Sequence, residues 1–195
     1  VVCLTGWFEK GARHLIYLAK SAGRAYDHAR FVQELKKQGC DITIGVEVCN
    51  LVDVKKAASC SKWPIGGMIQ LSMVLRVSLS IYEHDIVYTT NFYPGPRFVN
   101  MTHEGWKATI DRKVIGTWNL HNALKESPLD FFVLFSSLCG LCGNNGQANY
   151  AAANTFLDSF GKYRRQHGLP ASVLDLSVMY GIGFVSEDPK LSERL

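Results

Sequence analysis

The sequence lacks any long apolar run. Its longest, Ile65 to Leu75, contains Gln70 and stops at Arg76, far short of the roughly 18 residues a membrane helix requires. No charge of one sign dominates: 21 basic against 17 acidic residues leave a net +4, scattered apart from short pairs such as Lys36-Lys37 and Arg164-Arg165. That spread leaves no electrostatic footprint for nucleic acid. A leader is missing as well, since VVCLTGWFEKGARH carries acidic Glu9 and no basic segment followed by an apolar core. Its opening valine suggests a piece of a longer chain. The six cysteines, at 3, 40, 49, 60, 139 and 142, lack the density of a secreted disulfide scaffold. The expectation is therefore a soluble, cytoplasmic protein with reduced thiols and neither nucleic-acid nor membrane partners. What is present, 195 residues with 47% hydrophobic and 19% charged, suits one ordinary globular domain.

Strand-like and helix-like periods alternate along the chain. HLIYL reads as a buried strand. Phe31, Val32 and Leu35 then make one apolar helix face, which Gly39 stops. CDITIGVEV follows as a strand, LVDVKKAAS as a short helix and GGMIQLSMV as a third strand. A long helix is predicted from Met101 through about Lys125, N-capped by Thr102, with Trp106, Ile110, Val114, Thr117 and Leu124 on one side. FFVLFSS is a strand, a Gly-rich loop leads to a helix over about 147–167, and ASVLDLSV closes the series. Strands separated by crossover helices imply a parallel sheet covered on both faces, an α/β doubly wound fold. Residues 77–100, rich in Tyr, Phe, Val and Thr around Pro94-Gly95-Pro96, break this rhythm as an atypical, hairpin-like insertion.

Chemistry concentrates in SSLCGLCGNNGQANYAAAN, which runs from a strand end into a helix. Ser137 lies at the carboxyl end of its strand, the edge where open α/β sheets bind ligands. Tyr150 and Asn154 share a helix face. A tyrosine there can donate a proton to a carbonyl oxygen if a cation lowers its pKa, a serine hydroxyl can hold that oxygen, and Lys113 is the candidate cation.

The steps Lys113 to Tyr150, Ser137 to Tyr150 and Tyr150 to Asn154, with KVIGTWNLH around the lysine, resemble the ketoreductase domains of polyketide synthases, a branch of the short-chain dehydrogenase/reductase superfamily. GARHLIYLAKS, PIGGMIQLSMVLR, DFFVLFSS and GIGFVSEDP look most like the fungal highly reducing synthases. The resemblance implies a Rossmann-like doubly wound parallel sheet, with residues 1–195 forming a single, partial domain. It further implies NADPH-dependent reduction of a β-ketoacyl thioester, held by phosphopantetheine on an acyl carrier protein among other synthase domains. Tyr150 would protonate the alkoxide and Ser137 would hold the oxygen. Lys113 would lower the Tyr150 pKa and contact the nicotinamide ribose, and Asn154 would support the lysine or a proton relay. Lys20 falls where the family pairs a cation with the cofactor 2′-phosphate, which a lysine can do as a point charge. Glu47 falls where the family reads the adenine.

Two departures stand beside these matches. A Gly-rich turn that would let backbone N–H groups approach a pyrophosphate is absent between VVCLTG and HLIYL, so the first strand and cofactor loop are incomplete and the activity of the chain stays open. The 77–100 segment replaces a short acidic loop, either as a real loop or as translated intron sequence. Two rival readings follow, a non-catalytic remnant of a synthase ketoreductase and a stand-alone reductase of a small ketone. Cys139 and Cys142 form a C-x-x-C step without a second pair, so small residues in a tight loop explain it better than zinc or redox chemistry. His14, His121 and His167 are expected at the surface or at helix ends, and RRQH at 164–167 as a solvated helix end.

Overall fold

The computed structural model describes residues 14–18, 32–34, 36–37, 39–45, 47–71, 98–144 and 146–177. The VVCLTG segment, Lys20 and residues 77–97 of the insertion lie outside these. The chain divides into two compact units, Val1–Gly66 with Gly116–Leu129 and Gly67–Ile115 with Asp130–Leu195.

In the first unit, β1 (His14–Leu18) pairs in parallel with β2 (Asp41–Gly45), His14 opposite Asp41 and Leu18 opposite Gly45. Val32, Cys40 and Ile42 pack together with Leu15 against them. Gly39 adopts φ 87°, the left-handed conformation expected just past a helix end. Helix α1 (Leu51–Ser59) is capped by Asn50, whose side chain accepts the Val52 N–H, and it buries Val54 and Ala57. It packs on α3 (Gly116–Leu124), where the buried Asn119 donates to the Val48 carbonyl at 3.0 Å. His121 sits in the last turn of α3 as expected, but it is buried, its ring edge-on to Trp118.

In the second unit, β3 (Gly67–Gln70), β4 (Phe131–Ser137) and β5 (Ser172–Leu176) form a parallel sheet in the order β3-β4-β5. All described pairings are thus parallel, as the doubly wound reading requires, and they fall into two sheets of two and three strands. Burial alternates along β4: Phe132, Leu134 and Ser136 are buried, one face of a period-two strand. Helix α5 (Ala148–Gln166) packs on β4 and β5, sinking Ala153, Leu157 and Phe160. Thr102 caps α2 (His103–Ile110), accepting the Gly105 N–H at 3.1 Å.

The long helix departs from expectation at one place. Asp111–Ile115 form a π-helical turn, an insertion of one residue into the helical ladder that leaves a carbonyl needing a new partner. The side-chain amide of buried Gln70, at the end of β3, donates to the Arg112 carbonyl at 3.2 Å. In RRQH at 164–167, expected as a solvated helix end, Arg165, Gln166 and His167 are exposed and Arg164 alone departs from the expectation. Arg164 is 1% exposed, its guanidinium 3.7 Å from the Phe132 ring centroid and its Nε donating to the Pro170 carbonyl at 3.1 Å.

Candidate active site

Four of the residues expected at the site, Lys113, Ser137, Tyr150 and Asn154, belong to the second unit, and the fold brings them together at the carboxyl ends of β3 and β4. Ser137 ends β4, and its hydroxyl accepts the Cys139 N–H at 3.2 Å. The next backbone N–H, Leu138, donates to the Leu176 carbonyl at 3.1 Å, which ties this strand end to β5. A short helix, α4 (Cys139–Cys142), follows. It lies so close to α5 that a Cβ at Gly140 would come within 3.0 Å of both the Asn154 Cβ and the Thr155 nitrogen. The Thr155 hydroxyl donates back to the Gly140 carbonyl at 2.9 Å.

Tyr150 lies in the first turn of α5. The helix has no N-cap side-chain bond from Gln147; instead the Asn149 side chain accepts the Tyr150 N–H at 2.8 Å. The buried Asn149 amide also donates to the Gly105 carbonyl and the Thr109 hydroxyl, both at 3.1 Å, fastening the tyrosine turn to α2. One turn on, Asn154 is fully buried, its amide donating to the Tyr150 carbonyl at 2.8 Å.

Lys113 enters from the π turn. It is 3% exposed, donates to the Phe135 carbonyl at 2.8 Å and holds its ammonium 5.5 Å from the Tyr150 ring centroid. Burial pushes its pKa down to about 8, against the opposing attraction of Asp158. The Tyr150 phenol is raised by burial, while hydrogen bonds with the Ser137 and Asn154 side chains lower it and Cys139 raises it. A tyrosine hydroxyl bonded to a serine hydroxyl, with a lysine that titrates near neutrality beside it, can pass a proton to an oxygen placed between Ser137 and Tyr150.

Glu47 lies in the first unit, two residues beyond β2, half-buried and accepting the Cys49 N–H of its own turn at 3.5 Å. Lys20 is outside the described residues. The Cys139 thiol donates to the Gln147 side-chain oxygen at 3.7 Å, and among the described residues no group of three His, Cys, Asp or Glu is placed to hold a metal ion. No described helix is long and apolar enough to cross a membrane. Sequence reasoning missed Gln70, Gly140, Asn149 and Asp158. Each carried a faint signal: a polar end to an apolar strand, a glycine in the loop after Ser137, the neighbour of Tyr150, and the next four-residue step after Asn154.

Parallel sheets flanked by helices, with Ser137, Tyr150 and Lys113 clustered at a strand edge, define a Rossmann-like domain of the short-chain dehydrogenase/reductase kind. The KR domain model matches residues 3–85 and 84–181, its two segments meeting inside the 77–100 insertion. A highly reducing polyketide synthase from a Fusarium species is 48% identical over 192 residues, covering 98% of this chain and 7% of that protein. One from Penicillium soppii is 45% identical, covering 96% and 7%. An A-type ketoreductase from a modular polyketide synthase superposes with TM-score 0.79 at 25% identity, over 95% of this chain and 36% of that one. The first ketoreductase of the tylosin synthase does so with TM-score 0.72 at 26% identity, over 94% and 37%. The chain belongs to the KR domain family of polyketide synthase ketoreductases, a family of oxidoreductases, and it spans about 7% of the length of the curated relatives it matches.

Proposed function

We propose that the chain reduces the β-keto group of an acyl thioester, carried by phosphopantetheine on an acyl carrier protein, to the β-hydroxyacyl form within a cytoplasmic polyketide synthase. Residues 1–195 act in this reading as one ketoreductase-like domain bearing the 77–100 insertion, next to other synthase domains. The observation that carries it is the placement of the buried Lys113 ammonium 5.5 Å from the Tyr150 ring, with Ser137 hydrogen-bonded to that tyrosine.

NADPH supplies the hydride when bound. The donor set fits it: an ammonium and a phenol at the carboxyl edge of parallel strands suit a ribose and a reacting carbonyl. Lys113 would contact the nicotinamide ribose, Lys20 would pair with the 2′-phosphate and Glu47 would face the adenine. Ser137 orients the ketone oxygen, Tyr150 gives its proton to the oxygen as negative charge develops there, and Lys113 stabilises the phenolate left behind. Asn154 holds the Tyr150 turn in register with the lysine.

The test is a fluorescence titration of the folded chain with NADPH, with NADH as competitor and Lys20→Ala as control, followed by turnover of a β-ketoacyl thioester. Micromolar binding that depends on the 2′-phosphate, with turnover abolished in Tyr150→Phe, is the expected result. A folded chain that binds no NADPH up to millimolar concentration overturns the reading and leaves a non-catalytic scaffold.

A further inference from the structure

Asp158 has no part in the reduction just described, yet the fold draws it toward the same residues. Helix α5 presents Tyr150, Asn154 and Asp158 at four-residue steps, hence along one face. Among the described residues, the buried side-chain oxygens without a hydrogen-bond partner are Asn154 Oδ1 and Asp158 Oδ1, neighbours in that row. The Asp158 carboxyl neighbours the Ser136 hydroxyl on β4, which favours its charged form, and the Asp175 carboxyl on β5, which disfavours it. Ser136 in turn donates to the Asn154 carbonyl at 3.2 Å, and it adjoins Phe135, whose carbonyl receives the Lys113 ammonium. A carboxylate oxygen sunk without a donor is costly unless a cation lies near enough to compensate it. Lys113, almost wholly buried, is a cation that Asp158 attracts.

The geometry points to Asp158 as a positioning residue for the proton-donating pair: its carboxylate, in one row of α5 with Tyr150 and Asn154 and with an oxygen buried without a donor, keeps Lys113 in its charged form beside Tyr150. The inference rests on the reductase reading for the use made of that charge, though not for the pairing itself. The surrounding charges agree with it. Lys113 feels desolvation first and the attraction of Asp158 second. Asp158 is raised by burial, lowered by Ser136, raised by Asp175 and lowered by Lys162 one turn further along α5. From α4, Cys139 bears on Tyr150.

The test follows the Lys113 side chain directly in the full chain labelled with 13C-lysine, its resonance assigned by its loss in Lys113→Met. The midpoint of its titration is compared in wild type, Asp158→Asn, which keeps the shape and removes the charge, and Asp158→Glu, which keeps the charge and changes the shape. The wild-type midpoint is expected at about 8, with Asp158→Asn roughly one pH unit lower and Asp158→Glu close to wild type. The high-pH fall in turnover of a β-ketoacyl thioester moves with the midpoint. An unchanged midpoint in Asp158→Asn, or an equal displacement in both variants, overturns the proposal. A displaced midpoint in a chain that reduces nothing supports the pairing and sinks the reductase reading. An active chain with an unmoved midpoint sinks the pairing alone.

Discussion

At one end of the β4–α5 layer the guanidinium of Arg164 lies over the Phe132 ring and bonds the Pro170 carbonyl. At the other end the ammonium of Lys113 bonds the Phe135 carbonyl beside Tyr150. Both cations are almost wholly removed from water, and both meet a backbone carbonyl and an aromatic ring. They differ in what burial does to them. A guanidinium stays charged at any accessible pH, so Arg164 can only brace the helix end. An ammonium yields, and burial brings Lys113 to about 8, where its proton can move. The same packing device thus makes a strut at the amino edge of the sheet and a titrating group at the carboxyl edge, and side-chain type together with strand polarity decides which.

The sharpest way to break this comparison is at the chemical end. Tyr150→Phe removes the proton donor while keeping the ring beside Lys113, so turnover of a β-ketoacyl thioester is expected to fall by about 10²–10⁴-fold. Its thermal midpoint should stay near wild type, measured by circular dichroism on the same preparation.

Arg164→Leu probes the opposite end. The change abandons the Pro170 carbonyl and the Phe132 stack but leaves no charge behind, so a loss of about 2–4 kcal/mol in denaturant unfolding is expected. Turnover per folded molecule should hold within about twofold, since the Tyr150 turn lies at the far end of α5. A large fall in turnover with intact stability would erase the distinction between the two ends.

How these two cations looked in sequence differs as much as their roles. Lys113, Ser137, Tyr150 and Asn154 were legible because their spacings fit one pattern and all four project from regular elements. Arg164 was not, because a cation in a last helical turn is favourable on the surface anyway; its burial depends on the chain reversing at Gly168 to bring Pro170 back, and on Phe132, more than thirty positions earlier. The π turn was hidden for a similar reason. Apolar residues recur at three- and four-residue steps straight through it, and Gln70, which satisfies its carbonyl, comes from strand β3, some forty positions earlier. Strand and helix positions, set by local period, were read closely, whereas which described strands pair, β1 with β2 and β4 with β3 and β5, is not encoded by period.

Gly140→Ala tests whether the chemical end depends on close approach. The added methyl meets Asn154 Cβ and the Thr155 nitrogen at 3.0 Å, one of them backbone, so α4 must move and carry the Ser137 turn with it. A cost of about 1–3 kcal/mol is expected in denaturant melts, with kcat reduced more than KM is raised. Gly140→Ser should behave alike, whereas Thr155→Ser, which keeps the hydroxyl bond, should not.

The smallest effect sharpens the comparison most, because its sign is opposite to that at Arg164. In the fold Lys113 titrates near 8 rather than at 10.5, so below about pH 8 the folded chain bears the cost of holding a buried charge that the unfolded chain keeps in water. Between about 8 and 10.5 the unfolded state binds more protons than the folded state, and stability therefore rises with pH through that window as far as this group is concerned. Lys113→Met escapes the cost. It should abolish turnover yet stabilise the chain at pH 7 by on the order of 1–2 kcal/mol, a figure net of the hydrogen bond to the Phe135 carbonyl that is lost with the ammonium. The gain should shrink toward zero as denaturant melts of both proteins are repeated up to pH 10. Removing a strut costs stability and removing a buried functional charge gains it; if Lys113→Met is instead destabilising at pH 7, Lys113 is a second Arg164, held for packing rather than for its charge beside Tyr150.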